Sequence, residues 1–154
     1  MAKQDLHIGE KAPDFELEDE AGEIIRLADF RGRKVIVYFY PKDDTPGCTT
    51  QACGFRDAYP RIAQRQAVVL GISPDGVESH RKFKSKHRLP FHLLVDPGHG
   101  TAKTYGVWGG LSNVRSHFVV DEHGLLEDIR IGISPEDSVR QAVHSLEADD
   151  PVES

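Results

Sequence analysis

Cys48 and Cys53 are the residues of this chain best suited to covalent chemistry, and Cys48 lies in Tyr40-Pro41-Lys42-Asp43-Asp44-Thr45-Pro46-Gly47-Cys48-Thr49-Thr50, where a strand hands over to a helix. Upstream, Lys34-Val35-Ile36-Val37-Tyr38-Phe39-Tyr40 has the β-branched and aromatic composition of a buried strand. Thr45 then stands as an N-cap ahead of a proline at the first helical position, so Cys48 is predicted in the first helical turn. A thiol there faces backbone N–H groups without helical partners and the positive end of the helix dipole, and both favour the nucleophilic thiolate. Free cysteines are often inert buried residues. Such a residue belongs in an apolar run, however, and Thr-Pro-Gly-Cys-Thr-Thr is polar and exposes backbone, which favours chemistry.

Cys53 follows five residues later. On a continuous helix that spacing offsets the two by about 140° and puts their Cα atoms about 8.6 Å apart, beyond the ~6.8 Å that a disulfide tolerates. The pair can bond only if the helix between them unwinds, which Gly54 makes easier; the spacing describes a switch rather than a static staple. A single Cys-x4-Cys without a second cysteine pair falls short of a structural zinc site, and the Cys-x-x-Cys of a general dithiol exchanger is absent.

These residues sit in a longer pattern: Gly9-Glu10-Lys11-Ala12-Pro13-Asp14-Phe15, Pro41-x-x-x-Thr45-Pro46-Gly47-Cys48-Thr49, Phe55-Arg56-Asp57, Gly71-Ile72-Ser73-Pro74-Asp75, Leu94-Val95-Asp96-Pro97 and Arg115-Ser116-x-Phe118-Val119-Val120-Asp121. Over roughly residues 8–146 the chain resembles the peroxiredoxins, specifically the atypical two-cysteine type called peroxiredoxin Q or bacterioferritin comigratory protein. The resemblance implies a thioredoxin-like fold and a peroxidase acting on hydrogen peroxide and small organic hydroperoxides. It implies that Cys48 is the peroxidatic nucleophile and Cys53 the resolving thiol, and that a thioredoxin-type dithiol regenerates the pair without cofactor or metal. Thr45 matches the threonine whose hydroxyl helps hold peroxide and thiolate, Pro41 the proline that shields the pocket, and Arg115 the arginine that pairs with both. A monomer is the expected state.

Elementary chemistry supports these roles. Attack on an O–O bond piles negative charge on the leaving oxygen, which fixed donors from a guanidinium, a hydroxyl and the N–H groups of Gly47 and Cys48 would stabilise. Arginine suits the task because it stays charged and offers several donors in a rigid fork. Arg115 precedes the apolar run Phe118-Val119-Val120 and so could project from a strand end towards Cys48. The chain also departs from its relatives: Gln51 stands where many have Glu, His117 where Thr is usual, and the segment 108–114 is short. Neither side chain receives a role from the sequence. The alternative reading is a non-catalytic redox-sensing module switched by Cys48–Cys53 oxidation.

The remaining composition sets the frame. A chain of 154 residues with 38% hydrophobic content is sized for one domain, here 1–154 with a core at about 8–146. Nineteen basic and 25 acidic residues give a net charge of −6, with no basic patch for nucleic acid. Met1–His7 has no apolar signal core, and no run approaches the ~18 apolar residues of a membrane span, so a cytoplasmic setting that keeps both thiols reduced is expected. Eight histidines are scattered along the chain and are expected mostly at the surface.

The elements that must position the cysteines follow from periodicity. Phe15–Leu17 and Ile24–Leu27 flank Glu20-Ala21-Gly22-Glu23 as an N-terminal hairpin. Strands are predicted at about 34–40, 67–72, 92–95, 116–121 and 125–132, and helices at about 46–65, 76–87, 99–105 and 135–147. Ser134-Pro135-Glu136-Asp137 gives the last helix an N-cap, a proline and acidic first-turn residues. Pro60 predicts a kink or break near Tyr59, leaving a short, easily melted cysteine helix. Tyr38, Phe39 and Tyr40 read as strand core, with Tyr40 able to face Cys48, and Trp108 either lines the pocket or packs. The fold class is thus α/β, a mixed central sheet flanked by helices.

Overall fold

The computed structural model describes residues 5–148. Seven strands, β1 (Glu16–Asp19), β2 (Ile24–Arg26), β3 (Val35–Phe39), β4 (Val68–Ser73), β5 (His92–Val95), β6 (Ser116–Val120) and β7 (Leu126–Ile131), form one sheet in the order β2-β1-β5-β4-β3-β6-β7. Its helices are α1 (Pro46–Gln64), α2 (Val77–His87), α3 (Gly100–Thr104) and α4 (Pro135–Glu147). β3 pairs parallel with β4, and β4 with β5, because α1 and α2 carry the chain back to the same end of the sheet. The β1–β2 hairpin joins antiparallel to β5, and β6–β7 antiparallel to β3.

All five residues of β3 are buried, as are those of β4 and β6; β3 reads as a continuous apolar run, whereas β6 carries the buried polar Ser116 and His117. Alternation along β3 divides the core. Ile36, Tyr38 and Tyr40 point to the face covered by α1, α2 and α4, together with Cys48, Phe55, Phe83 and Val143. Val35, Val37 and Phe39 point to the opposite face, with Ala102, Tyr105 and Val107. Trp108 packs on this second face and stacks on His99, with ring centroids 3.6 Å apart. It lies away from the cluster that holds Cys48.

One expectation about helices fails, and another holds for the backbone alone. The helix α1 is continuous across Pro60 for 19 residues, so no break falls at Tyr59. Pro60 is exposed, and the Arg56 carbonyl that its ring leaves without a helical donor can turn to water. Thr45 holds the N-cap backbone position, but its hydroxyl makes no cap bond and donates to the Lys42 carbonyl at 2.9 Å. By contrast Ser134 caps α4 as predicted, accepting from Asp137 N–H at 3.1 Å. Among the described residues no helix is long and apolar enough to cross a membrane.

Tyr38 lies on its register partner Gly71 of β4, where a Cβ would meet the Tyr38 ring at 2.8 Å. A ring wedged against Phe55 and Phe91 cannot retreat. Gly71→Ala is therefore expected to destabilise the protein by about 1–3 kcal/mol through overpacking, read as a lower urea midpoint at unchanged slope.

Candidate active site

Three of the predicted residues meet at the start of α1. Pro46 and Gly47 begin the helix, Cys48 follows, and the first helical bond runs from Thr49 N–H to the Thr45 carbonyl at 2.8 Å. The N–H groups of Gly47 and Cys48 have no protein partner among the described residues, as expected for a first turn. Cys48 and Cys53 are both free thiols. Cys48 is only 1% exposed and Cys53 half-buried. Burial alone would suit an inert cysteine equally well; what sets Cys48 apart is its neighbour.

Arg115 stands immediately before β6, half-buried, with Nη2 at 3.5 Å from the Cys48 sulfur and Nη1 donating to Gln51 Oε1 at 2.8 Å. Its backbone is also held, since the Arg115 carbonyl accepts from the N–H groups of Gly132 and Ile133 after β7. Gly47 makes room for the guanidinium: a Cβ there would lie 2.8 Å from Nη2. Thr45 lies three residues before Cys48, and Pro41 is half-buried in the loop between β3 and α1. Cys53 sits further along the same unbroken helix, so the spacing argument against a disulfide in this conformation stands.

Several residues of the site gave no signal in the sequence. Gln51 is fully buried and donates from Nε2 to Ser138 Oγ at 2.9 Å; Ser138 lies 2.8 Å from His117 Nδ1, and His117 Nε2 lies 3.0 Å from Asp128 Oδ2. Asn113 ties the short 108–114 segment to the strand end, donating to the Tyr40 carbonyl at 3.1 Å. His80 and His117 are fully buried, and of the eight histidines only His7, His123 and His144 are exposed. The expectation of mostly surface histidines fails at His80 and His117, whose rings are satisfied by partners distant in sequence that no local pattern announces.

His80 anchors the loop that leads into α1. Asp43 accepts from Tyr40 Oη at 2.5 Å and Ser79 Oγ at 2.8 Å, and its Oδ2 lies 2.7 Å from His80 Nδ1. His80 Nε2 faces the Leu94 carbonyl at 2.8 Å and so carries a hydrogen. Asp75, which together with Asp43 and His80 brings potential metal-ligand atoms within 4.8 Å of one another, is itself engaged by Asp43 N–H and Ser73 Oγ. These donors and acceptors are already used in fixing the loop.

A model of the AhpC/TSA family matches residues 8–129. Peroxiredoxin Bcp of Bacillus subtilis (strain 168) is 44% identical over 149 residues, covering 92% of this chain and 95% of its own length. The chain belongs to this family. It is a peroxiredoxin of the Bcp or Q type, and so an enzyme, a peroxidase. Its architecture agrees: the crystal structure of peroxidoxin BcpB from Mycobacterium tuberculosis superposes with a TM-score of 0.90 at 32% identity, covering 96% of this chain and 100% of that one. A structure of Xanthomonas campestris bacterioferritin comigratory protein, described for its alkyl peroxide reduction activity, gives 0.82 at 26% identity over 87% and 90% of the two chains. The fold is thioredoxin-like.

In this peroxiredoxin the guanidinium meets the sulfur at the first turn of a helix, where backbone N–H groups lack protein partners, and negative charge there would be held without solvent reorganisation. Gly47→Ala is expected to fold normally, because only the flexible end of Arg115 must shift and alanine is the better helix former. Peroxide reduction should nonetheless slow by roughly 10- to 100-fold, part of the ~10²–10³ that loss of a transition-state donor costs; stopped-flow oxidation beside a thermal melt separates the two effects.

The loop anchor has its own pH signature. Burial works against charge on His80, but the hydrogen bond and charge of Asp43 outweigh it and raise its pKa above the ordinary histidine value. Stability from this pair is complete below about pH 6.5, the unfolded value, and is lost as pH rises through the higher folded value. The stability gap between wild type and His80→Asn should therefore be widest in mild acid and narrow as pH rises, measured by urea unfolding across that range.

Proposed function

We propose that the protein reduces hydrogen peroxide and small organic hydroperoxides in a two-cysteine cycle. The Cys48 thiolate attacks the distal oxygen of ROOH; the O–O bond breaks, a proton goes to the leaving oxygen, and the products are Cys48 sulfenic acid and ROH. The Cys53 thiol then displaces hydroxide from the Cys48 sulfur, giving a Cys48–Cys53 disulfide and water. A thioredoxin-type dithiol returns both residues to thiols by exchange. The observation that carries this reading is the Arg115 guanidinium 3.5 Å from a cysteine sulfur in the first turn of a helix.

The remaining residues take roles that chemistry assigns. Thr45, its hydroxyl hydrogen given to Lys42, keeps lone pairs with which to accept from a peroxide O–H. Pro41, lacking an N–H and half-buried in the loop, limits water at the sulfur. The resolving step needs the segment between the cysteines to leave the helix, and Gly54, directly after Cys53, lowers the cost of doing so. The alkyl peroxide reduction described for the Xanthomonas campestris relative supports organic hydroperoxides as substrates.

Cys48→Ser is expected to abolish turnover. Cys53→Ser should consume about one peroxide per chain without added thiol, and under excess peroxide its Cys48 peptide should gain two or more oxygens because the sulfenic acid is left unresolved. Free-thiol counting and peptide mass spectrometry read both outcomes. Sustained turnover by Cys48→Ser would refute the assignment, and an unmodified Cys48 peptide in Cys53→Ser would refute the resolving role.

A further inference from the structure

Behind Arg115 lies a row of buried polar groups that the cycle above leaves unused. Gln51 on α1, Ser138 on α4 and His117 on β6 are each fully buried, and Asp128 on β7 nearly so. They link Arg115 to Asp128 through contacts of 2.8, 2.9, 2.8 and 3.0 Å. Gly54 lets the two helices approach closely enough for this, since a Cβ there would meet Val139 at 2.8 Å.

Both ends of the row fix its hydrogens. Arginine has only donors, so the Gln51 oxygen must face Arg115 and the Gln51 NH2 must face Ser138. At the far end, Asp128 Oδ1 accepts from Arg130 Nε at 3.1 Å while Oδ2 faces His117, and against the opposing effect of burial these hydrogen bonds hold its carboxyl below the usual carboxylate range. A carboxylate only accepts, so His117 carries a hydrogen on Nε2. Ser138 then accepts from Gln51 and donates its own hydrogen to His117 Nδ1. Each contact along the row then pairs a donor with an acceptor, and only this orientation does so with a neutral imidazole.

We propose that Gln51, Ser138 and His117 are positioning residues for Arg115, a one-directional hydrogen-bond row that aims the guanidinium at Cys48 without placing an anion against it. The amide at 51 and the imidazole at 117 are a matched pair. A glutamate at 51 would have no hydrogen to give Ser138, the serine would turn towards it, and His117 would have to donate from both nitrogens. Gln51 instead leaves the Arg115 charge uncompensated on the side facing the sulfur. The proposal rests on the reading that Cys48 reacts and Arg115 assists it, and its test separates the two.

The test follows oxidation of Cys48 by hydrogen peroxide in the full-length chain for wild type, Ser138→Ala, Arg115→Ala and the double variant, with the pH midpoint of Cys48 alkylation measured on each. Ser138→Ala changes almost no volume; Gln51→Leu is the second variant should it fail to fold. Ser138→Ala is expected to slow oxidation about tenfold and move the alkylation midpoint upward, and to do neither once Arg115 is alanine, because coupled groups are not additive. The same fractional loss with and without Arg115, or no loss in the single variant, overturns the row. Arg115→Ala reacting at the wild-type rate overturns the underlying reading. Nitrogen NMR near neutral pH gives an independent check: a hydrogen on His117 Nε2 alone is expected, and one on Nδ1, by itself or as well, overturns the orientation.

Discussion

The 3.5 Å approach of the Arg115 guanidinium to the Cys48 sulfur sets terms that the surrounding structure must meet. A half-buried guanidinium carries five donors, and each one taken from water without an acceptor is a cost of about 1–3 kcal/mol or more for a charged group. One donor points to the sulfur and another to Gln51; the backbone is gripped through its carbonyl by Gly132 and Ile133. Gly47 is small for the same reason, since any side chain at that position would occupy the space of Nη2. The helix start, the strand before it and the connection after β7 are thus fitted around one cation.

Strand register delivers that cation. β3 and β6 run antiparallel with Phe39 opposite Ser116, so the residue before Ser116 falls beside the loop that follows Phe39. Since that loop leads directly into α1, Arg115 and Cys48 meet although 66 residues separate them between positions 48 and 115. A slip of one residue in this pairing would turn every side chain of β6 to the wrong face, and burial of both strands on two sides prevents it. The loop between is held separately, by Asp43 on His80 and by Asn113 on the Tyr40 carbonyl. Its position does not depend on the cysteine.

The elements were largely legible because their signals are local. The β-branched run at 35–39, the Thr-Pro start at 45–46 and the Ser-Pro start at 134–135 each encode their own boundary, and α1 and α4 begin where those residues place them. Pro60 misled because a proline on an exposed face can leave its unpaired carbonyl to solvent and the helix intact. Thr45 takes the N-cap position its place before Pro46 predicts, although its hydroxyl bonds the Lys42 carbonyl rather than a helix N–H. Gln51, Ser138 and His117 were beyond reach for a different reason: they belong to three elements, and in β6, buried on both faces, no alternation distinguishes a polar position from an apolar one.

The contacts of Gln51 with Arg115 and Ser138 also bear on the resolving step of the proposed cycle. Gln51 lies between Cys48 and Cys53, so any unwinding that brings the two sulfurs to bonding distance must first release Gln51 from Arg115 and Ser138. Each hydrogen bond contributes about 0.5–1.5 kcal/mol, and more where a charge is involved, so the reduced helix is held shut by an amount comparable to that of a good helix cap. In the proposed cycle the sulfenic acid at Cys48 would offer Arg115 less than a thiolate does, but the contacts of Gln51 would still have to be released. The start of α1 lacks a side-chain cap at Thr45, but it is also held by the Thr49 N–H bond to the Thr45 carbonyl and by burial of Cys48 and Ala52, which an unwinding would have to give up. Further along, Phe55 and Ile62 are buried in the core and Gly54 packs on Val139, which would limit the unwinding that the proposed cycle requires. The division falls at Cys53: apolar anchorage follows it, and before it the helix is tied by the polar contacts of Gln51.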